Sequence, residues 1–422
     1  MTSSTSSSKP RRSALERSFR RYAIGLGATL GTLMTVFGIV NTRVNPLGVT
    51  PTPWSDNGFR DYRPIYRSQR TAKPGLIRSE KWDAVMMGSS RVDIALDPSN
   101  PHWGDLRVAN LAFSAGSLPE SAAMFKYAAD RQPLQLAIVG VDLYDLTVDY
   151  NVGATAGFTE SPLNDKADPV ERELRYIFGY NSVQASYNAI HDRATKHLPE
   201  YTANGHRLRH KPSFDLRKKL ESDSIPHAIR FIRQRKAQHG LVASKLDAFR
   251  EILDTAKKKG CRLILMIPPN HAIYVATYFY AGDPDPAFDL ERGTVVKLAA
   301  EADAKNPNTP PIEIWDFYDF HPLNAETVPP LGDEKAQMQY WMDGTHALKS
   351  LGDIMLARMM GWPLDGGPGA DYGVRLTPEN LQARDRQLRA GYEDYRKTHA
   401  EEFQWMTTVA AKYSEGGGPE DE

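Results

Sequence analysis

Apolar positions along this chain fall into three kinds of run. The first is unbroken: residues 22–42 (YAIGLGATLGTLMTVFGIVNT) carry no charge over 21 positions, and as a helix rising ~1.5 Å per residue they span roughly 30 Å. That length matches a bilayer core and predicts a retained, single membrane anchor. A buried core helix and a cleavable signal peptide are the other readings, but the run exceeds the about 7–15 apolar residues of a signal peptide and no A-x-A-like site follows it. The second kind is short. Stretches 84–87, 108–111, 136–141 and 263–267 are short apolar runs, broken only by Asn110, and end in small or turn residues, as strands buried on both faces of a parallel sheet do. The third kind has helical spacing, over 118–130 after the second strand and 245–259 before the fourth. Strand and helix therefore alternate as in a doubly wound α/β fold.

The remaining segments set the expected organisation. Residues 43–80, opening with a Pro-rich stretch after Asn45-Pro46, predict an extended juxtamembrane connector that lifts the domain off the membrane. The main domain is expected over 81–365, with 146–242 as a polar helical insertion rich in basic residues. That basic run reads either as a solvated helix face or as a contact for acidic glycan or lipid headgroups. From Thr377 the pattern predicts one long terminal helix, with Thr377 as N-cap, Pro378 at N1 and Glu379 in the first turn. It belongs to a C-terminal region, 366–422, that ends in an acidic tail.

Charge sharpens the first run. The chain of 422 residues holds 52 Lys+Arg and 52 Asp+Glu, a net charge of zero, and is 41% hydrophobic and 25% charged. That is globular composition, and it supplies no field for a polyanion, which excludes nucleic acid as the main partner. The balance is uneven, however. Tail 1–21 carries Lys9, Arg11, Arg12, Arg17, Arg20 and Arg21 against Glu16, and only Arg43 follows the apolar run closely. The positive-inside rule then places the N-terminus in the cytoplasm and exports everything from about residue 43. In a Gram-negative cell that destination is the periplasm, with the anchor in the inner membrane. The single Cys261, within CRLILMI, has no partner for a disulfide. Gly27 and Gly31 form a G-x-x-x-G pair that suits packing against another membrane helix or is simply ordinary glycine content.

Three places suit chemistry. In DAVMMGSSRVD, Gly88 permits a sharp turn, and Ser89, Ser90 and Arg91 emerge at the carboxyl edge of the first strand, where open α/β sheets bind ligands. A serine there is a candidate nucleophile, although strand-Gly-Ser-Ser is also an ordinary turn and helix cap. In YWMDGTHALK, Asp343 and His346 stand three residues apart, so the carboxylate can orient the ring while the ring acts as base. The plainer reading makes Asp343 or Thr345 a cap. In NLAFSAGSLPE, Gly116 can offer a backbone N–H to an oxyanion or can serve a plain turn. His271 and His321 lie in turn-like contexts, PPNHA and FYDFHPLN. Neither has metal-ligand spacing, so no metal and no cofactor are expected.

These blocks, in this order and approximate spacing, resemble the SGNH (GDSL-like) hydrolase superfamily. G-S-S at 88–90 is similar to its first block, Gly116 to its second-block glycine and D-G-T-H at 343–346 to its D-x-x-H block. With the N-terminal anchor, N-L-A-x-S-x-G and the strand I-V-G-V-D-L-Y, the chain is most similar to the membrane-anchored bacterial branch related to alginate-acetylation and DltD-type proteins. The resemblance covers roughly residues 81–362. It implies a three-layer α/β/α sandwich with a mainly parallel sheet, Ser90 as nucleophile, His346 as base and then acid, and Asp343 as the residue holding His346. Ser90 N–H and Gly116 N–H would form the oxyanion hole. One departure stands out: the family's third block supplies an Asn where this chain has Asp142, and a carboxylate there repels an oxyanion unless it is protonated or paired. Arg91 is the nearest cation in sequence, and Asn270 is the candidate replacement donor.

The expected function is an exported, anchored serine acyl esterase or O-acetyltransferase acting on a cell-envelope or exopolysaccharide glycan. A membrane partner would supply acyl groups, or a polysaccharide synthesis assembly would flank it. The alternative is a catalytically degenerate domain that binds glycan or scaffolds such an assembly, which the Asp142 departure motivates.

Overall fold

The uncharged run folds as one continuous helix. In the computed structural model, which describes residues 14–148, 157–209, 214–238, 240–282, 288–364 and 366–414, α1 (Ala14–Val44) passes through it without a break. Its side chains from Leu26 to Ile39 are largely exposed, and with a mean hydropathy of 1.9 over its most apolar 18-residue stretch it is long and apolar enough to cross a membrane. Residues 1–13 of the expected basic tail and 415–422 of the acidic one lie outside the described residues, as do 149–156, 210–213 and 239 of the expected insertion.

The chain continues through α2 (Gln69–Ser79), β1 (Ala84–Met87), α3 (Ser90–Ala95), β2 (Val108–Asn110), α4 (Leu118–Ala129) and β3 (Leu136–Gly140). Region 146–242 holds α5 (Pro169–Phe178), α6 (Tyr180–Thr195), the short α7 (Leu216–Lys219) and α8 (Ile225–Ala237). Then come α9 (Ala243–Lys259), β4 (Arg262–Ile267), α10 (Ala272–Tyr280), α11 (Asp289–Lys305) and β5 (Glu313–Asp316). The chain closes with α12 (Lys349–Met360), β6 (Val374–Leu376), α13 (Leu381–Thr398) and α14 (Ala400–Ser414).

The strands form one α/β sheet of order β2-β1-β3-β4-β5-β6. The first five are parallel, and β6 runs antiparallel along β5. Side chains alternate between two cores. Val85, Met87, Ala137, Val139, Leu263 and Leu265 pack with α4, α9, α10 and α11, while Ala84, Met86, Leu136, Ile138, Ile264 and Met266 pack with Val92 of α3 and Leu351 of α12. Apolar residues at both parities are what a sheet covered on both faces demands. The strand order reverses about β1, with β2 on one side and β3 on the other. A crevice therefore opens at the carboxyl ends of β1 and β3, the position where such sheets take ligands.

Three segments fold differently from their sequence pattern. Two further strands, β5 and β6, extend the sheet beyond the four expected. Residues 43–80 do not form an extended connector: Leu47, Val49, Ile65 and Ala72 are buried with Tyr176, Ala185 and Tyr201, and α2 is buried from Gln69 to Ile77. The domain also meets α1 directly, through the Asn41 amide donating to Ile177 O (2.7 Å) and the Ser186 hydroxyl donating to Asn41 Oδ1 (2.7 Å). At the C-terminus the expected single helix begins later, after Asn380, and breaks at His399 into α13 and α14. Leu388, Tyr395, Met406 and Val409 carry both into the main core, so this region is part of the domain's packing.

Candidate active site

The turn after β1 sorts the two serines. Gly88 has φ +143, and a Cβ there would stand 2.8 Å from Val92 Cγ2, so only glycine fits the turn. Ser89 is the N-cap of α3, its hydroxyl accepting from Arg91 N–H (3.3 Å). Ser90, the next residue, instead places Oγ 2.9 Å from His346 Nε2. Its own amide sits in the first turn, where a helix provides no acceptor.

His346 comes from a loop between β5 and α12, closed by a bridge between Trp341 and Ala347. Its Nδ1 lies 2.8 Å from Asp343 Oδ2 and 3.0 Å from Oδ1. Asp343 Oδ1 also accepts from the amides of Thr345 (2.8 Å) and His346 (2.9 Å) and from the Thr345 hydroxyl (3.1 Å). Burial alone would raise the Asp343 carboxyl. The facing His346 ring and the two amides overcome it and hold the pKa well below the ordinary carboxylate value. Asp343 is thus a carboxylate at any physiological pH, and its hydrogen bond puts the His346 proton on Nδ1 and leaves Nε2 as an acceptor for Ser90 Oγ–H. Two neighbours clamp the loop: Ser224, whose hydroxyl accepts from Gly344 N–H (3.3 Å), and His271, whose amide donates to Gly344 O (3.1 Å).

Asp142 follows β3 and is paired. Arg91 Nη1 donates to Asp142 Oδ1 at 2.8 Å, both side chains are 7% exposed, and the guanidinium lies 5.1 Å from the centre of the Tyr144 ring. Burial works against the Arg91 charge, but Asp142 and Tyr144 raise its pKa above the normal value. The pair is internally neutral, so the Asp142 carboxylate does not stand as a bare charge at the crevice. By the same token Arg91 is not an open anion clamp.

The other two oxyanion candidates are placed differently from the expectation. Gly116 N–H donates to Phe113 O (3.0 Å) and is engaged within its own turn. Glycine is needed there because a Cβ would stand 2.7 Å from Gly88 O, where the second-strand loop packs on the serine turn. Asn270 is buried beside Arg91, Tyr144, Tyr278 and Tyr318 around a small cavity of about 10 Å³ that Ser90 does not line. Its Oδ1 has no hydrogen-bond partner, and one probe sphere of volume is the least that holds a water.

The two flagged turn histidines serve structure. His271 is fully buried, its Nδ1 accepting from Ile273 N–H (3.3 Å) as the cap of α10 and its Nε2–H donating to Glu326 O (2.7 Å). His321 Nδ1 accepts from Leu323 N–H (3.2 Å), and its Nε2 lies 3.2 Å from Asp371.

Other polar residues of this region carry no sequence motif. His227 of α8 lies 3.2 Å from the Tyr274 hydroxyl. Burial, with the cations Arg230 and Arg91 and the His346 ring, lowers its pKa to about 4. A polar cleft of about 490 Å³ is lined by Tyr66, Arg67, Gln69, Thr159, Asn181 and Asn188. Gln69 ties it to the loop next to Gly116, its Oε1 accepting from Ser114 N–H (2.8 Å) and its amide donating to Ser114 Oγ (3.3 Å). Long-range contacts alone bring these groups together. A scan against protein-family models and a search of curated proteins both return no match to this chain.

Proposed function

We propose that this protein is an exported, membrane-anchored serine acyl esterase or O-acetyltransferase of the SGNH type, with the sheet and its flanking helices as the three-layer α/β/α core. The observation that carries the reading is the hydrogen-bonded relay Asp343–His346–Ser90 at the carboxyl edge of a doubly wound sheet. In that arrangement Ser90 Oγ attacks the acyl carbon while its proton passes to His346 Nε2. Asp343 stabilises the resulting imidazolium, and His346 returns the proton to the departing oxygen, leaving an acyl–Ser90 ester. A sugar hydroxyl or water then gives its proton to His346 and attacks the ester carbon, and His346 passes that proton to the departing Ser90 Oγ, which restores the free serine. The amide of Ser90 is the oxyanion donor this geometry supplies.

The polar cleft beside Ser114 suits sugar hydroxyls, and the basic residues preceding the apolar run of α1 favour a cytoplasmic N-terminus with the domain outside an inner membrane. A Cβ on Gly27 or Gly31 would meet nothing within 4 Å beyond the helix's own neighbouring backbone, which leaves that face open to a membrane partner delivering acyl groups. A second reading, a non-catalytic glycan-binding or scaffolding domain, is favoured by the engagement of Gly116 N–H with Phe113 and of Asp142 with Arg91, which leaves the oxyanion hole with one evident donor.

Activity separates the two. The full chain in detergent is expected to release p-nitrophenol from p-nitrophenyl acetate, and Ser90→Ala to lose that release. Equal rates for both proteins would favour the binding reading. Acetate appearing on an added oligosaccharide faster than in solution would mark a transferase.

A further inference from the structure

The notional separation between domain and membrane fails on length. A hydrocarbon core of ~30 Å that begins at Tyr22, with Arg20 and Arg21 in the headgroups, ends near Thr42, 20 residues further along at ~1.5 Å each. The domain meets α1 before that point. A Cβ on Gly38 would stand 2.9 Å from Phe178 Cε1 and 3.5 Å from Ile177 Cγ2, only ~24 Å along the helix from Tyr22. The end of α5 is therefore placed about 6 Å inside the apolar boundary, and any tilt of α1 carries it deeper.

The surfaces of α5 and α6 match that position. On α5, Val170 (67% exposed) and Leu174 (51%) continue the stripe to Ile177 and Phe178 at helical spacing. Its charged flank holds Glu171 and Arg175 as an ion pair (2.6 Å). On α6, Tyr180 (77%), Tyr187 (68%) and Ile190 (43%) share one exposed face, opposite the buried Ser182, Ser186 and Ala189 that turn toward the domain. Trp54, 55% exposed, donates its indole N–H to Thr42 Oγ1 (3.1 Å). Exposed Trp and Tyr at the end of a membrane span are the composition of an interfacial belt, and one-sided apolar helices lie about 5–10 Å into the headgroup boundary.

We propose that α5 and α6 form a monotopic membrane contact, with Val170, Leu174, Tyr187 and Trp54 in the interface, so that the domain rests on the bilayer that α1 crosses. The contact rests on the anchor reading of α1 and is independent of any catalytic activity. Because Asn181 and Asn188 of α6 also line the polar cleft, that cleft then opens at headgroup level.

The test uses the full chain with Cys261→Ala, reconstituted in lipid nanodiscs containing lipids with a doxyl quencher near the headgroup or, for the label within α1, deep in the acyl chain. Single cysteines replace Leu174, Tyr187, Leu33 of α1 and Glu301, an exposed residue of α11, and each carries a bimane label. Labels at 174 and 187 are expected to lose more than about half of their fluorescence relative to the label at 301, as groups at interfacial depth do. Quenching at 33 without quenching at 174 and 187 would overturn the membrane contact and leave the anchor standing; a protein partner covering this face would give that pattern. No quenching at 33 would overturn the anchor and the contact together.

Discussion

Ser90 and Asp93 stand one turn apart on α3, in opposite surroundings. Ser90 Oγ meets a histidine whose side chain is 25% exposed and whose Nε2 has no other hydrogen bond among the described residues. Asp93 is fully enclosed: Lys73 Nζ donates to it at 2.5 Å and the Tyr201 hydroxyl at 2.6 Å, while Lys73 also donates to Asn110 O and Gly205 O. A buried charge with every partner in place is inert. A half-open relay with one free direction is open to a substrate. The same short helix joins them, so the sealed cluster fixes the pose of the open one, tying α3 to α2 and to the loop carrying Tyr201.

Four measurements would break or sharpen that contrast, from the largest effect to the smallest. Asp343→Asn leaves the packing but removes the charge that sets the His346 tautomer. Turnover of p-nitrophenyl acetate is expected to fall about 10³–10⁴-fold, the order seen when a serine triad loses its acid, with little change in melting temperature. The sealed cluster should show the reverse. Lys73→Met strands the Asp93 carboxylate and is expected to cost about 3–5 kcal/mol in denaturant unfolding. A companion Lys73→Met/Asp93→Asn, which removes the stranded charge, is expected to recover much of that loss.

Acid should act on the supports of the His346 loop before it acts on Asp343. Burial lowers His271 from 6.5 to about 4, opposed by the Glu326 carbonyl. The unfolded chain therefore binds the extra proton between those values, and stability is complete above about pH 6.5 and falls as pH drops toward 4. The contribution is at most about 3 kcal/mol at 1.36 kcal/mol per unit. His271→Asn, which keeps a cap for Ile273 N–H, is expected to flatten the stability-versus-pH slope in that window; an unchanged slope would show that the His271 ring does not carry this pH dependence. Last, Ser89→Ala should cost about 1 kcal/mol as a lost helix cap while keeping activity, because Ser89 only caps the helix on which Ser90 acts.

The sequence made the centre of the sheet visible and hid its edge. Strands β1, β3 and β4 are apolar at both parities because both faces are covered. β5 reads EIWD, and only Ile314 and Asp316 are buried there. Asp316 is held by Arg292 (3.0 Å) and Arg384 (2.9 Å), partners from α11 and α13 that no local pattern reveals. Residues 43–80 look like a linker because Pro and polar residues dominate, yet Leu47 and Lys73 find their partners in α5, α6 and α3. At the site, Ser90, Asp343 and His346 were legible because their residue types and order suffice to suggest a relay. The capping role of Ser89, the occupied Gly116 amide and the closing of the Arg91–Asp142 pair depend on backbone direction and on contacts between strands, which motifs do not encode.

The central claim is that Ser90 is the one serine made nucleophilic by this geometry. Fluorophosphonate treatment of the full chain, followed by peptide mass mapping, tests it directly. A single adduct on Ser90, retained in Ser89→Ala and absent in Ser90→Ala, is the expected result; no adduct in the wild-type chain, or an equal one in Ser90→Ala, would contradict it.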